Sequence, residues 1–190
     1  MTTPDLGVWA KPTLTGDRVT LRPYASRGAQ AERDVDAVWE MAHDAEGNDL
    51  TATTATFERA QIDAWVRSRA VAPERLDLVV VDNATGEVAG EVVLNEPVTD
   101  DAGVAVAANY RIALRGPAWY GRGLGTEAGQ LVVDHAFATM GLQRLTLEVL
   151  ARNPRARRSY ERLGFVETSQ YSEDGEDWIV MAARRPATRA

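Results

Sequence analysis

Cysteine is missing altogether. Its absence excludes a disulfide framework, a zinc-thiolate centre and a cysteine nucleophile, and is compatible with the reducing cytoplasm expected for this chain. Histidine is almost as scarce: His43 and His135 are the only two. Neither has a partner at metal-ligand spacing, so no metal is expected. No serine stands in a nucleophile-elbow pattern. No apolar stretch approaches the ~20 residues that span a bilayer, and residues 1–16 have no basic stretch leading into an apolar run, so neither a membrane nor a secretory signal is expected. Positive charge is also short. Against 28 Asp and Glu stand 21 Lys and Arg, a net charge of −7. Non-specific nucleic-acid binding needs a basic surface, so nucleic acid is not an expected partner, and the balance leans weakly towards a cationic one.

What is present suits a folded domain. The 190 residues are 45% hydrophobic and 26% charged, enough for one domain over 1–190 with a full core, acting as a monomer or homodimer. Residues 1–12 and 184–190 read as loose ends. Between them the patterning predicts strands at 13–23, 76–81, 88–94, 104–114, 142–150, 165–171 and 178–182. Helices are expected at 31–43, 57–71 and 126–140, with Phe57, Ile62, Trp65 and Val66 buried on the second and Leu131, Val132, His135 and Thr139 on one stripe of the third. Residues 48–56 read as a loop. Asn153 caps a further helix with Pro154 at its first position, and Gly164 stops it. Trp39, Trp65 and Trp178 are expected in the core. The fold class is mixed α/β (α+β), a mostly antiparallel sheet of about six to seven strands flanked by helices, its first half largely antiparallel.

The segment with chemical content is Tyr120-Gly121-Arg122-Gly123-Leu124-Gly125-Thr126-Glu127-Ala128, between a strand and a helix. Closely spaced glycines let the backbone approach a ligand and adopt positive φ. The helix that follows leaves its first amides unpaired and carries partial positive charge there, which suits phosphate oxygens, and Arg122 adds a full charge. A nucleotide-binding P-loop would need Lys and then Ser or Thr after its last glycine, whereas Thr126 and Glu127 follow Gly125. The letters Gly123-x-Gly125-x-x-Ala128 match a dinucleotide fingerprint, with Glu148 near the place of a ribose-binding acid. Too little chain follows to complete a doubly wound sheet.

The loop resembles the coenzyme A loop of the GNAT acetyltransferases, written [Q/R]-x-x-G-x-[G/A], with Gly123 and Gly125 at the small positions and Tyr120 in place of Gln or Arg. Other segments extend the resemblance towards the RimJ/RimL-like branch. Residues 13–23 (TLTGDRVTLRP) look like its opening strand. Asn109-Tyr110-Arg111-Ile112 stands where that branch has a Gly-Tyr pair, and Asn153 through Phe165 resembles N-x-x-S-(x)n-L-G-F with Ala156 at the serine position.

The resemblance implies a GNAT fold and direct transfer of an acetyl group from acetyl-CoA to a primary amine, a protein N-terminus or small molecule, in a ternary complex. It implies that Tyr120, Gly121, Arg122, Gly123, Leu124, Gly125 and Thr126 hold coenzyme A. Asn153 is a helix cap that the resemblance also places against coenzyme A. Arg152, Arg155, Arg157 and Arg158 form either a solvated helix face or a contact for the 3′-phosphate, for which Arg158 is the candidate. An ammonium cannot attack, so a base or proton path is needed, and the leaving thiolate gains from an acid. Tyr160 shares a helix face with Ala156 and Leu163 and is the candidate acid, with core packing as the other reading of its ring. Glu91, Asn95, Glu96 and Glu148 lie on or just beyond strands. Of these, Glu148 and Glu96 are the candidate bases, and Asn95 and Tyr110 the candidate acceptor contacts; Tyr110 could equally pack on the sheet. A coenzyme A-binding module without turnover is the alternative reading.

Overall fold

Turn chemistry and β-branched runs account for most of the sheet. The computed structural model describes residues 9–187. It opens with β1 (Leu14–Thr15) and β2 (Val19–Pro23), which pair antiparallel around a turn at Gly16-Asp17, so the single strand expected over 13–23 is a small hairpin. Helix α1 (Gly28–Ala42), the short α2 (Ala45–Asp49) and α3 (Arg59–Arg69) follow. Then come β3 (Leu76–Asp82), β4 (Val88–Thr99) and β5 (Ala105–Leu114), a meander of apolar strands. A 3-10 turn (Pro117–Trp119) leads to α4 (Leu124–Ala138). The chain closes with β6 (Arg144–Leu150), α5 (Pro154–Arg162), β7 (Val166–Glu173) and β8 (Glu176–Arg184).

The strands form one eight-stranded sheet in the order β1-β2-β3-β4-β5-β6-β8-β7, one more than the upper expectation because the first strand divides. Every neighbouring pair is antiparallel except β5–β6, whose parallel pairing requires a crossover that α4 supplies. On one face, Leu78, Val80, Val92, Leu94, Ala108 and Tyr110 pack under α4 with Leu145, Leu147 and Phe165. On the other, Tyr24, Val79 and Val88 pack under α1 and α3 through Val35, Ala37, Ile62 and Val66. Burial of these two layers is the main stabilising term.

Several sequence readings shift. The polar stretch expected as a loop begins inside α2, whose cap is Asp44, accepting from Gly47 N at 3.1 Å. Phe57 is 44% exposed, because α3 starts two residues after it. Of the stripe expected on α4 only Val132 is fully buried; the buried face runs through Leu124, Ala128, Gly129, Val133, Ala136 and Phe137 instead. Trp39, Trp65 and Trp178 are partly exposed, and Trp119 is the buried tryptophan. The Asn153 cap, Pro154 and the positive φ of Gly164 stand as read. Residues 1–8 and 188–190 of the expected loose ends lie outside the described residues.

Helix α4 sits close to the sheet because Gly129 has no side chain. A Cβ there would lie 2.5 Å from Leu163 Cδ1 and 2.7 Å from the Tyr110 hydroxyl. Gly129→Ala is therefore expected to cost about 1–3 kcal/mol in urea unfolding, as overpacking does. Tyr110→Phe in the same chain should recover part of that loss, and equal stability of Gly129→Ala and the parent would contradict this packing.

Candidate active site

The cleft begins where two strands part. Parallel pairing between β5 and β6 covers Ala107↔Arg144, Ala108↔Leu145 and Asn109↔Thr146 and then stops, while β5 stays paired with β4 as far as Leu114 and β6 with β8 as far as Leu150. Beyond Asn109 the edge of β5 that faces β6 has no strand partner, so its backbone donors and acceptors are available to a ligand. A continuous cavity of about 1530 Å³ follows this opening and is lined from both faces of the sheet.

One arm of the cavity ends at the glycine loop. Gly121 and Gly123 have φ of 72° and 79°, a left-handed conformation that glycine adopts without a Cβ penalty. Gly123 is the N-cap of α4 and offers no side-chain acceptor, and the first intrahelical bond is Glu127 N to Gly123 O. The amides of Leu124, Gly125 and Thr126 thus head a fifteen-residue helix at the cavity wall, where anionic oxygens are favoured. Gly125 is not required by strain or packing. A Cβ on it would stand 3.5 Å from Leu114 Cδ1, an ordinary contact, so its bareness keeps the cleft open to a ligand.

The loop is held from behind. Arg122 does not line the cleft; it donates to the buried carboxylate of Asp82 at 2.7 Å and lies 5.0 Å over the Trp119 ring. The charge that sequence alone offers to a phosphate is thus spent on the β3–β4 turn. Arg18 donates to Arg122 O at 3.3 Å, and Glu127 accepts from the amides of Asp17 and Arg18. Tyr120, at the wall, donates through its hydroxyl to Asp44 at 2.7 Å, and Arg155 stacks 4.0 Å over its ring while pairing with Glu46. Burial, then Asp44, raises the Tyr120 pKa and keeps it protonated.

Helix α5 supplies the opposite wall. Asn153 accepts from Ala156 N and donates to Leu50 O, so it caps the helix and fastens the segment after α2. Its neighbour Arg152 reaches Asp49 and Glu176. Arg158 is exposed and off the cleft. The residues that face it are Arg155, Ser159 and Arg162, together with Ala156 and Tyr160, a face that i, i+4, i+7 spacing from Arg155 would have picked out. Thr126 Oγ1 and Ser159 Oγ, 3.2 Å apart, tie the two helix walls together.

Tyr160 is partly exposed and lines the cleft, edge-on to Tyr110 with centroids 6.1 Å apart. Burial pushes its hydroxyl up to about 12, opposed by the charge of Arg111. Tyr110 turns towards α4, 1% exposed, and its hydroxyl has no partner among the described residues. It floors the cleft; its ring packs on Tyr160 and Phe165. Asn95 is buried and off the lining. It accepts from Asn109 Nδ2 at 3.1 Å, bracing the strand pair beside the bulge where Glu96 adopts φ 52°. Glu96 is exposed at the rim, and Glu148, also exposed, accepts from Tyr171 at 3.0 Å.

Glu91 is a cavity carboxylate that sequence reasoning did not select as a base. It lines the part of the cavity under α1 and α3 and accepts from the buried Tyr24 hydroxyl at 2.6 Å; that ring is edge-on to Trp65. Burial raises its pKa, with Tyr24 pulling the other way and Asp77 adding to the rise. Among the described residues no group of three or more His, Cys, Asp or Glu is placed to hold a metal, and no helix is long and apolar enough to cross a membrane.

A sequence profile of the acetyltransferase (GNAT) domain matches residues 18–166. No curated protein matches the chain. Solved structures of similar fold include an acetyltransferase (GNAT family) from Bacillus anthracis, 15% identical with a TM-score of 0.76 over 92% of this chain and 99% of that one. Spermidine N-acetyltransferase from Vibrio cholerae, in complex with CoA and spermine, is 19% identical with a TM-score of 0.74, covering 88% and 96%. AAC(6')-Ib in complex with paromomycin and acetyl-CoA is 19% identical with a TM-score of 0.67, covering 89% and 94%.

A carboxyl whose native pKa is raised by burial binds its proton more tightly folded than unfolded. Its contribution to stability is full below the unfolded pKa and is lost as pH rises through the native one. Glutamine keeps an acceptor for Tyr24 without the charge. Glu91→Gln should therefore raise the melting temperature more (or lower it less) at about pH 8 than at about pH 5. The same difference at both pH values would contradict the burial of this charge.

Proposed function

Because the chain belongs to the GNAT acetyltransferase family, we propose that it transfers the acetyl group of acetyl-CoA directly to a primary amine bound in the same cleft, as a member of the RimJ/RimL-like branch. The observation that carries this reading is the glycine-lined head of α4 opening onto the parted strands β5 and β6. Residues 1–190 act as one catalytic domain in this reading.

The amides of Leu124, Gly125 and Thr126 take the pyrophosphate, with Gly121 and Gly123 shaping the turn. The unpaired edge of β5 takes the arm that carries the thioester and donates to its oxygen as charge develops there. The amine nitrogen bonds to the carbonyl carbon, the carbon–sulfur bond breaks, and the amine's proton leaves to a carboxylate or along water. Tyr160, held protonated, donates a hydrogen bond to the departing sulfur. A thiolate is a weaker base than phenolate, so the phenol steadies the negative charge without having to surrender its proton for good. Glu91, Glu96 and Glu148 are the carboxylates able to receive the amine's proton; Glu91 is the one whose pKa is raised.

Two measurements test the reading. Tyr160→Phe should lower kcat by about 10²-fold or more while coenzyme A binding holds, and an unchanged kcat would remove Tyr160 from the chemistry. Gly125→Val should abolish most of the rise in melting temperature that coenzyme A gives the parent. Gly123→Val should in addition lower the ligand-free melting temperature, since a side chain there meets Arg18 and a positive φ. Undiminished coenzyme A binding by both variants would place the pyrophosphate elsewhere.

A further inference from the structure

Four charged residues lining the cleft, Glu96, Arg111, Arg144 and Arg162, have no side-chain partner among the described residues, and of these Arg111 stands beside the opening on the face of the sheet under α1 and α3. Register pairs Glu91 with Ala113 and Val93 with Arg111, which sets Glu91 and Arg111 on the same face as diagonal neighbours, about 7–8 Å apart at the backbone. Such a pair is within reach of an ion bridge. Here Glu91 turns one oxygen to Tyr24. Arg111 has no hydrogen-bond or ion-pair partner among the described residues, whereas Arg115, one diagonal further along the strand, grips Glu40 with two nitrogens. Both Glu91 and Arg111 line the cavity. Arg111 stands two residues past the last β5–β6 pair, at the opening through which an acceptor must meet the thioester.

The other carboxylates of the cleft are differently placed: Glu96 and Glu148 lie exposed, and Asp44 is taken by Tyr120. The α1 and α3 side of the cavity is largely apolar, with Val38 and Met41 of α1, Ile62 and Trp65 of α3 and Phe57 before it, interrupted by Gln61. Arg111 is exposed to the open cleft, and an unpaired guanidinium there repels a polycation and binds a carboxylate in a two-pronged geometry.

We propose that the acceptor is a free α-amino acid with an apolar side chain. Its carboxylate sits on Arg111, its amino group lies between the free oxygen of Glu91 and the opening at β5–β6, and its side chain rests against the α1–α3 wall. This rests on the acetyltransferase reading and names its substrate class. It sets the chain apart from a polyamine-acetylating relative, whose substrate would bring several positive charges to Arg111.

The test measures thiol release from acetyl-CoA with leucine and phenylalanine, their decarboxylated counterparts isopentylamine and phenethylamine, spermidine, and a tripeptide beginning with leucine. The amino acids should exceed the matching amines in kcat/KM by about tenfold or more, the scale of one charge-assisted hydrogen bond. Arg111→Gln should collapse that ratio towards one by raising KM for the amino acids, and Arg111→Lys should keep part of it. Equal or better turnover of the decarboxylated amines, of spermidine or of the tripeptide overturns the proposal while leaving the acetyltransferase reading intact. If coenzyme A fails to raise the melting temperature and no amine releases thiol, both fall. If coenzyme A binds but nothing turns over, calorimetry of leucine and phenylalanine against the coenzyme A complex decides, and absence of binding overturns the proposal.

Discussion

Parallel pairing between β5 and β6 lasts from Ala107 to Asn109, and nearly every property of the cleft follows from its stopping there. Each strand remains fastened to its antiparallel neighbour, so the gap is an opening in an otherwise continuous sheet and not a frayed edge. Asn95 and Asn109 pin the point of parting from one side, and β4 resumes its pairing with β5 past the bulge through Glu96. An opening through a sheet joins two faces that are otherwise sealed from each other. A donor can enter from the α4 side and an acceptor from the α1–α3 side, meeting in a space bounded by backbone groups with hydrogen-bonding capacity to spare.

The donor arm is stiffened from outside the cleft. Asp82, Arg18 and Glu127 grip the loop from the rear through Arg122, its carbonyl and the amides of the β1–β2 turn. A phosphate cradle made of backbone amides works best when those amides are already aimed, because binding then costs little ordering entropy. The side chains around Gly123 serve the geometry of the loop, and in the proposed reading the ligand contacts fall to the main chain.

This division explains what the sequence could and could not reveal. Glycine spacing, the Asn153-Pro154 start and the Gly164 stop are local signals with local causes, and the loop and α5 were legible from them. Arg122 was readable as a charge near a phosphate site. That Asp82, forty residues earlier in the chain, takes that charge is a tertiary fact. The same holds for α2: AEGND carries a mid-helix glycine and little apolar surface, and the helix is kept by a cap at Asp44 and by Arg152, just before α5, and Arg155 within it. The inward face of α4 was misjudged because a helix packed on a sheet and flanked by α5 buries more than one stripe. Arg111 was a single letter in a strand motif; only register placed it beside Glu91 and left it unpaired.

The segment from Asp44 to Leu50 forms a wall of the cleft, yet its anchors are remote: Tyr120 on one arm, and Arg152, Asn153 and Arg155 on the other, the last group about a hundred residues downstream. On an emerging chain, then, α2 is made long before anything exists to hold it. The β1–β4 portion can acquire its local hairpins early, but the wall lacks most of its partners until α5 has left the ribosome. Order of synthesis thus makes the binding cleft a late part of the molecule to be assembled, so that a chain broken off before α5 carries a glycine loop without its opposite wall.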